Sequence, residues 1–407
     1  MVIDPAERPG YVSPPRTGRL ADGRRFKDAS GRRQYPGHPL LMAVASSHNT
    51  EVVGGVPLMS VIGTPRTMGG HLGSRLKSRL QVLSQYLADQ LCTHARPGGL
   101  NLTTNRLREL ITPAAEHLQR HDPSLWMELE AMANASELPL ADLLIIHGYG
   151  DLLSYFGCQI PPQPSTFLSI DSTHTKDGNA LMSLCWYLDP ALFPYLTLLR
   201  RIPTHGPATL CLTLAGLGSV AGLSEAGIAV AANEMRVRDG VSGTFTNHLL
   251  SSMLTSPGFD DVQRRAQVGP RHGGAALHGL SSKGERFTVE ISGQQTARLN
   301  DALPDAPRVH TNHPLTESLM PMSGTVDGTS KMRLEQTAGQ VVAVNGVEPL
   351  TISKWFGMGN DTQTIKRIEA DSERVPISLV LMILDPRMKE LHICRSGVPT
   401  GLETIKL

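Results

Sequence analysis

The chain has 407 residues, 40% of them hydrophobic and 18% charged, with a formal net charge of +1. This is an ordinary soluble composition, long enough for one large domain or two ordinary ones with a sizeable core. The near-zero net charge gives no general case for nucleic acid or an anionic membrane as partner, and no apolar run approaches the roughly 20 residues that span a bilayer.

Residues 1–38 are rich in Gly, Pro and Arg without apolar periodicity, which predicts a loosely ordered or partner-wrapping arm, with one domain over 39–407. The N-terminus has no apolar core of a signal peptide. The five cysteines, Cys92, Cys158, Cys185, Cys211 and Cys394, are odd in number and form no CxxC pair. That argues against a disulfide framework or a structural zinc site and points to a reducing, cytoplasmic setting. Leu40–Val44 and Val56–Ile62 read as strands. Gly63-Thr64-Pro65-Arg66 then reads as a helix start, with Thr64 as cap and Pro65 in the first turn. Leu72, Leu76, Leu80, Leu83 and Leu87 follow at helical spacing, and the glycines of Gly69-Gly70-His71-Leu72-Gly73 suit close packing. Residues 104–153 predict two or three helices with boundaries at Asp122-Pro123 and Ser136–Pro139.

From about residue 165 the pattern changes to strands: Thr166–Ile170, Ala180–Leu184, Ala208–Leu214 and Ile228–Ala232, with turn signals such as Asp177-Gly178-Asn179 between them. Helices are predicted near 246–254 and 258–267. Arg200-Arg201 and Arg264-Arg265 read as solvated basic pairs on helices. Strands return at Arg286–Ile291, Val375–Leu384 and Glu390–Cys394, with a hairpin turn at Asp385-Pro386-Arg387. The order helices, sheet, helices, sheet predicts a layered α+β domain rather than a Rossmann fold. No P-loop, dinucleotide fingerprint or G-x-S-x-G is present. His71, His117, His248 and His278 are not at metal-ligand spacing, so no metal and no cofactor are expected.

Three motifs together carry a resemblance. They are Gly63-Thr64-Pro65-Arg66-Thr67-Met68-Gly69-Gly70-His71-Leu72-Gly73, Gly222-Leu223-Ser224-Glu225-Ala226-Gly227-Ile228-Ala229-Val230-Ala231-Ala232-Asn233, and His310-Thr311-Asn312-His313-Pro314-Leu315. In order and spacing they resemble the penicillin-type acyl-coenzyme A acyltransferase family of N-terminal-nucleophile proteins, from about residue 55 to the end. The resemblance implies a four-layer αββα sandwich. It also implies a chain that cuts itself before a cysteine, whose thiolate attacks an amide or thioester. The freed α-amine, of pKa about 7.7–8.0, acts as base, and Asn and backbone N–H groups stabilise the oxyanion.

At the centre the chain departs from that pattern. Aligning Pro164-Ser165-Thr166-Phe167 on Phe167 puts Pro164 where the family has its cysteine, and aligning on Trp186 puts Tyr187 where it has an acidic residue. A rival alignment makes Cys158, in Gly157-Cys158, the nucleophile, at the expense of the Pro-rich Gln159–Pro164. Asn233 and Asn312 are the candidate anion donors, with a buried structural amide the competing reading for Asn233. His313 is the candidate acid-base group, against a strand-end hydrogen-bond partner. Tyr187 and Cys185 stand at positions that line the family's pocket and could equally fill volume. Asp189 is a base or a turn cap. Arg236 is a possible anion anchor, although Glu234, Arg236 and Arg238 read first as a solvated edge sharing one face.

Three functions fit these residues. In the first, the old pocket serves a thiol-free enzyme that acts on an amino-acid-like small molecule by acid-base and electrostatic catalysis. Here the chain resembles nucleophile-less members of the family from natural-product pathways, the aziridine-forming kind of azinomycin-type biosynthesis among them. That resemblance implies closure of an aziridine ring with loss of sulfate, in complex with a small companion protein. The second is a self-cleaving amidohydrolase or acyltransferase using Cys158. The third is a non-catalytic pseudoenzyme that binds a partner.

Overall fold

The computed structural model describes residues 51–95, 102–300, 303, 305–341, 345–358, 378–396 and 401–407. The expected N-terminal arm and the strand at Leu40–Val44 lie outside the described residues, as does the start of the strand expected from Val375. Strands β1 (Val52–Val53) and β2 (Val56–Gly63) lead into helix α1 (Pro65–Ala95), followed by α2 (Thr104–His121), α3 (Pro123–Ser136) and α4 (Leu140–Tyr155). The predicted punctuation holds. Thr64 Oγ1 accepts the Thr67 amide at 3.2 Å, and Asp122 Oδ1 accepts the Leu125 amide at 3.0 Å with Pro123 at the first turn. Leu72, Leu76, Leu80, Leu83 and Leu87 form the buried stripe of α1.

Gly69 and Gly73 let α1 lie against α3 backbone to backbone. A Cβ on Gly69 would stand 2.0 Å from the Glu128 carbonyl oxygen, and one on Gly73 would stand 2.3 Å from that of Met132.

Then come β3 (Ser165–Ile170), β4 (Leu181–Leu188), β5 (Leu196–Pro203), β6 (Thr209–Leu214), β7 (Leu217–Ser224), β8 (Ile228–Met235), α5 (Thr246–Leu254), α6 (Phe259–Arg265), β9 (Gly274–Ser281), β10 (Arg286–Ile291), β11 (Thr296–Arg298) and β12 (Arg308–His310). The chain closes with α7 (Ser330–Val341), α8 (Pro349–Trp355), β13 (Ser378–Asp385), β14 (Glu390–Arg395) and β15 (Glu403–Lys406). Two sheets result. One has nine strands in the order β1-β2-β5-β6-β7-β8-β9-β10-β11, parallel only at β2–β5; the other has six, β12-β3-β4-β13-β14-β15, all antiparallel.

The sheets stack through β3 and β4 against β8 and through β13 and β14 against β7. Helices α1, α4, α5 and α6 cover the outer face of the larger sheet, and α7 and α8 that of the smaller. This is the four-layer αββα sandwich. With both faces of each sheet covered, strands such as β3 are buried at every position, so polar-apolar alternation is lost and the strand reads as a continuous run. Along β3, Leu168 and Ile170 pack into the apolar layer under Val341, Ile352 and Phe356, while Phe167 stacks on His278 of the opposite sheet.

Arg200 and Arg201 lie on β5, not on a helix. Successive strand residues point to opposite faces, so Arg200 reaches the Lys406 carbonyl of the smaller sheet while Arg201 turns outward to Glu128 of α3 at 2.9 Å. Arg264 and Arg265 are on α6 as expected.

Candidate active site

Strand β3 opens at Ser165, and the polar groups of the inter-sheet layer converge on that residue. Its amide donates to Asn312 Oδ1 at 2.7 Å. Its Oγ accepts from Asn233 Nδ2 at 2.7 Å and from Asn312 Nδ2 at 3.1 Å. Asn233 comes from β8, delivered by the hairpin whose turn needs Gly227 at φ 74°. Asn312 comes from the turn after β12, where its Nδ2 also reaches the carbonyls of Gln163 and Glu234. Ser165, Asn233 and Asn312 are at most 2% exposed.

Two further groups hold these amides in place. His278 Nε2 lies 3.0 Å from Asn233 Oδ1 and its Nδ1 lies 3.0 Å from Thr288 Oγ1. Burial, aided by nearby His310 and Arg308, pushes this imidazole well below its usual pKa, so it is neutral. On the other side, Arg333 of α7 donates through Nη2 to Asn312 Oδ1 at 2.9 Å and to Asp327, and through Nη1 to the Ser165 carbonyl and to Thr166 Oγ1.

A hydroxyl carries one donor and two acceptor lone pairs. The Asn233 and Asn312 amide groups both face Ser165 Oγ, Asn312 sharing its two N–H groups among three acceptors, which leaves the hydroxyl's own proton to be donated. Among the described residues no carboxylate or imidazole hydrogen-bonds this oxygen. The centre is therefore built as a cluster of donors.

The alignment on Phe167 puts Pro164 where the family has its cysteine; in the structure the strand expected from Thr166 begins one residue earlier, at Ser165. Pro164 ends the preceding loop, its carbonyl held by the Tyr187 amide at 2.9 Å. Arg236 is neither a solvated edge nor a free anion anchor. It is 3% exposed, and it donates to the carbonyls of Ile160 at 2.9 Å, Gly150 at 3.1 Å and Pro161 at 3.4 Å, and to the carboxylate of Glu234. It pins the loop that leads into Ser165.

Cys185 and Tyr187 share a face, but that face looks away from the inter-sheet layer into the core under α7 and α8. There the Arg333 guanidinium lies 5.3 Å above the Tyr187 ring, and burial raises the pKa of both side chains. Asp189 is exposed and caps the short 3₁₀ helix Pro190–Tyr195, accepting the Ala191 amide at 2.9 Å. His313 follows Asn312 but is tied to α7. Its Nδ1 meets Ser330 Oγ at 2.7 Å and Thr311 Oγ1 at 3.2 Å, and burial, with His310 close by, lowers its pKa to about 4. Cys158 is buried past the end of α4, its amide on the Leu153 carbonyl, and burial raises its thiol pKa. The structure thus brings Asn233 and Asn312 together and leaves Cys185, Tyr187, Asp189 and Cys158 off the centre.

Ser165, His278, Arg333 and Asp327 were not among the expected site residues. Ser165 had a signal in the strand beginning directly after Pro164. Arg333, in Ser330-Lys331-Met332-Arg333, carries no local mark.

A cavity of about 320 Å³ is lined by Phe167, Thr288, Arg308 and His310, and none of Ser165, Asn233 and Asn312 lines it. A larger one of about 620 Å³ lies on the outer face of the nine-stranded sheet among α2, α3 and α5. Among the described residues, no group of three or more His, Cys, Asp or Glu could hold a metal ion, and no helix is long and apolar enough to cross a membrane.

Residues 188–394 match the family model of acyl-coenzyme A:6-aminopenicillanic acid acyl-transferase. No curated protein matches the chain in sequence. Among solved structures, a mutant of conjugated bile acid hydrolase from Clostridium perfringens is similar at 12% identity and TM-score 0.34, over 60% of this chain and 92% of its own. The Caenorhabditis elegans ortholog of N-acylethanolamine-hydrolyzing acid amidase aligns at 11% identity and TM-score 0.38, over 60% and 99%. Penicillin V acylase from Agrobacterium tumefaciens aligns at 11% identity and TM-score 0.38, over 60% and 86%.

Proposed function

We propose that this chain, which belongs to the acyl-coenzyme A:6-aminopenicillanic acid acyl-transferase family, is an enzyme that uses the family's fold without a thiol and acts on a small amino-acid-like substrate by stabilising a departing anion. The observation that carries this reading is the convergence of the Asn233 and Asn312 amide groups on Ser165 Oγ. An oxygen that faces two amide donors is a poor nucleophile, and its O–H is polarised toward an acceptor. Preorganised neutral donors of this kind act most strongly where water is excluded.

In its most concrete form the reaction is closure of an aziridine ring. The substrate amine attacks the neighbouring carbon that bears a sulfate ester; the N–C bond forms as the C–O bond breaks. Sulfate leaves with the electron pair, and the amine loses a proton. The Ser165 O–H and the remaining N–H of Asn233 would receive the sulfate oxygens, while Asn312, its N–H groups already engaged, holds Ser165 in place. The proton ends on solvent; His313, its pKa lowered to about 4, is too weak a base to hold it and would at most relay it. The enclosing loop pinned by Arg236 must open for the substrate to enter. A small companion protein remains part of this reading and could hold that loop or deliver the substrate.

The test is incubation of the purified protein with a 2-amino-3-sulfooxy acid, following release of inorganic sulfate and formation of the ring by mass spectrometry. Absence of sulfate release, with and without co-expressed neighbouring small proteins, sinks the aziridine reaction.

A second reading follows from the place of Ser165 at the head of β3. Cleavage between Pro164 and Ser165 would turn its amide nitrogen into a free α-amine, able to serve as base for the hydroxyl in an amidohydrolase or acyltransferase. Intact mass and N-terminal sequencing separate the cases. One chain near 44.0 kDa supports the donor cluster, a fragment beginning at Ser165 supports a serine nucleophile, and one beginning at Cys158 supports the thiol enzyme.

A further inference from the structure

We propose that the cavity of about 620 Å³ on the outer face of the nine-stranded sheet is a second binding site, one that takes a small organic oxyanion, a phosphate or carboxylate group on an apolar body. None of Ser165, Asn233 and Asn312 lines it, and the inference does not depend on the reaction at that centre.

The layer between a sheet and its covering helices is where a domain packs its apolar core to high density. Here that layer is left open, with a volume in the range of small-molecule sites, and polar groups are set into its wall. Arg201 of β5 meets Glu128 of α3 at 2.9 Å, and their side chains are 16% and 7% exposed. An ion pair so far withdrawn from water costs desolvation that a pair of apolar side chains would not, so stability alone does not account for it. His248 of α5 is buried in the same wall, its ring 4.3 Å from that of His147, and its Nε2 has no hydrogen-bond partner among the described residues. Native structures seldom leave a buried polar group unpaired.

The fixed charges around the cavity cancel, so the sign of its ligand rests with its imidazoles. Glu128 answers Arg201, and Asp261 of α6 answers Arg264 and Arg265. The remaining carboxylate, Asp122, already caps α3, taking the Leu125 amide at 3.0 Å, and burial raises its carboxyl. The N-terminus of α3 is thus filled by the chain's own acid. Three further histidines line the cavity: His117 and His121, stacked at the end of α2 with ring centroids 4.2 Å apart, and His205 in the β5–β6 turn. Among the described residues none of the three has a carboxylate partner. Burial, with His121 and Arg120 close by, holds His117 below its usual pKa. An oxyanion at these rings accepts their N–H groups and supplies the counter-charge they lack. Leu118, Leu125, Leu249 and Leu254 also line the cavity, which suits an apolar body rather than a bare inorganic ion.

The test is calorimetric titration of the full chain with phenyl phosphate, benzoate, benzamide and inorganic phosphate. Phenyl phosphate or benzoate is expected to bind saturably. Benzamide lacks the charge and inorganic phosphate lacks the apolar body, so each is expected to bind at least about 10-fold more weakly. Binding of phenyl phosphate alone assigns a phosphate, and binding of benzoate alone a carboxylate. Benzamide binding as tightly as the anions overturns the charge assignment, inorganic phosphate binding as tightly as phenyl phosphate overturns the apolar body, and no saturable binding by any of the four overturns the site. Location is tested with His121→Ala and His205→Ala, which change exposed residues, and with Ser251→Trp, which fills the cavity from α5. Thermal melts show which variants are folded, and the two histidine changes suffice if Ser251→Trp is not. Each histidine change is expected to weaken binding about 10-fold, and Ser251→Trp to abolish it. Affinity unchanged in the folded variants overturns the proposal. So does affinity lost in Asn233→Ala, which would place the anion at the Ser165 centre; affinity retained there, in a protein that releases no sulfate, leaves this site standing without the aziridine reaction.

Discussion

Asn233 and His278 lie diagonally across the β8–β9 ladder, and His278 Nε2 stands 3.0 Å from Asn233 Oδ1. Burial keeps the imidazole neutral, so with Thr288 donating to Nδ1 its single N–H is on Nε2. That hydrogen bond fixes the Asn233 amide with Nδ2 toward Ser165. Asn233→Ala is expected to lower turnover about 10²–10³-fold, the usual effect of removing one preorganised donor. His278→Phe keeps the stack on Phe167 but releases the amide, and should give a smaller loss. Rates of sulfate release by the variants check both; a fully active Asn233→Ala protein removes Asn233 from the machinery.

Acid should unfold this protein early. Burial lowers His147 to about 3, and His272 and His313 to about 4, against an ordinary value near 6.5. Below pH 6.5 the unfolded chain takes up protons that the native state refuses, so the stability present above that pH is lost progressively toward pH 4. Chemical denaturation midpoints measured from pH 7 to pH 4.5 are expected to fall steadily.

Asp151 works in the opposite sense. It accepts the Thr246 amide and hydroxyl at 2.8 Å each, and burial raises its carboxyl to about 7. Between pH 4 and 7 the native state holds a proton that the unfolded chain has lost, so this group's contribution declines as pH rises through that window. Asp151→Asn should therefore gain stability relative to the parent on going from pH 5 to pH 8. Taking the difference between the two proteins removes the histidine contribution, and a pH-independent difference would count against the raised carboxyl.

Gly73→Ala should cost about 1–3 kcal/mol through overpacking, since its Cβ would meet the Met132 carbonyl oxygen at 2.3 Å. Gly70 has nothing within 4 Å, and the same change there should be neutral or stabilising through helix propensity. Thermal melts of the two variants form a matched pair one turn apart.

The layered fold was legible because its punctuation is chemical: Pro65 and Pro123 at helix starts, and Gly227 in a turn. The amides of Asn233 and Asn312 were legible as strand-end residues in recurring motifs. Cys185 and Tyr187 were misplaced for a physical reason. A period of two shows that they share a face, but where both faces are buried it does not show which one looks between the sheets. Arg333 was invisible because its partners, Asp327 and Thr329 apart, are remote in sequence, and an arginine in the first turns of a short helix looks like any solvated one.

The hydrogen bonds that complete Ser165 reach 147 residues forward to Asn312 and 168 residues forward to Arg333. Contacts of such separation form only after most of the chain exists and its loops have closed. During synthesis, Ser165 therefore leaves the ribosome as an ordinary hydrated serine, and the centre stays chemically silent until helix α7 docks.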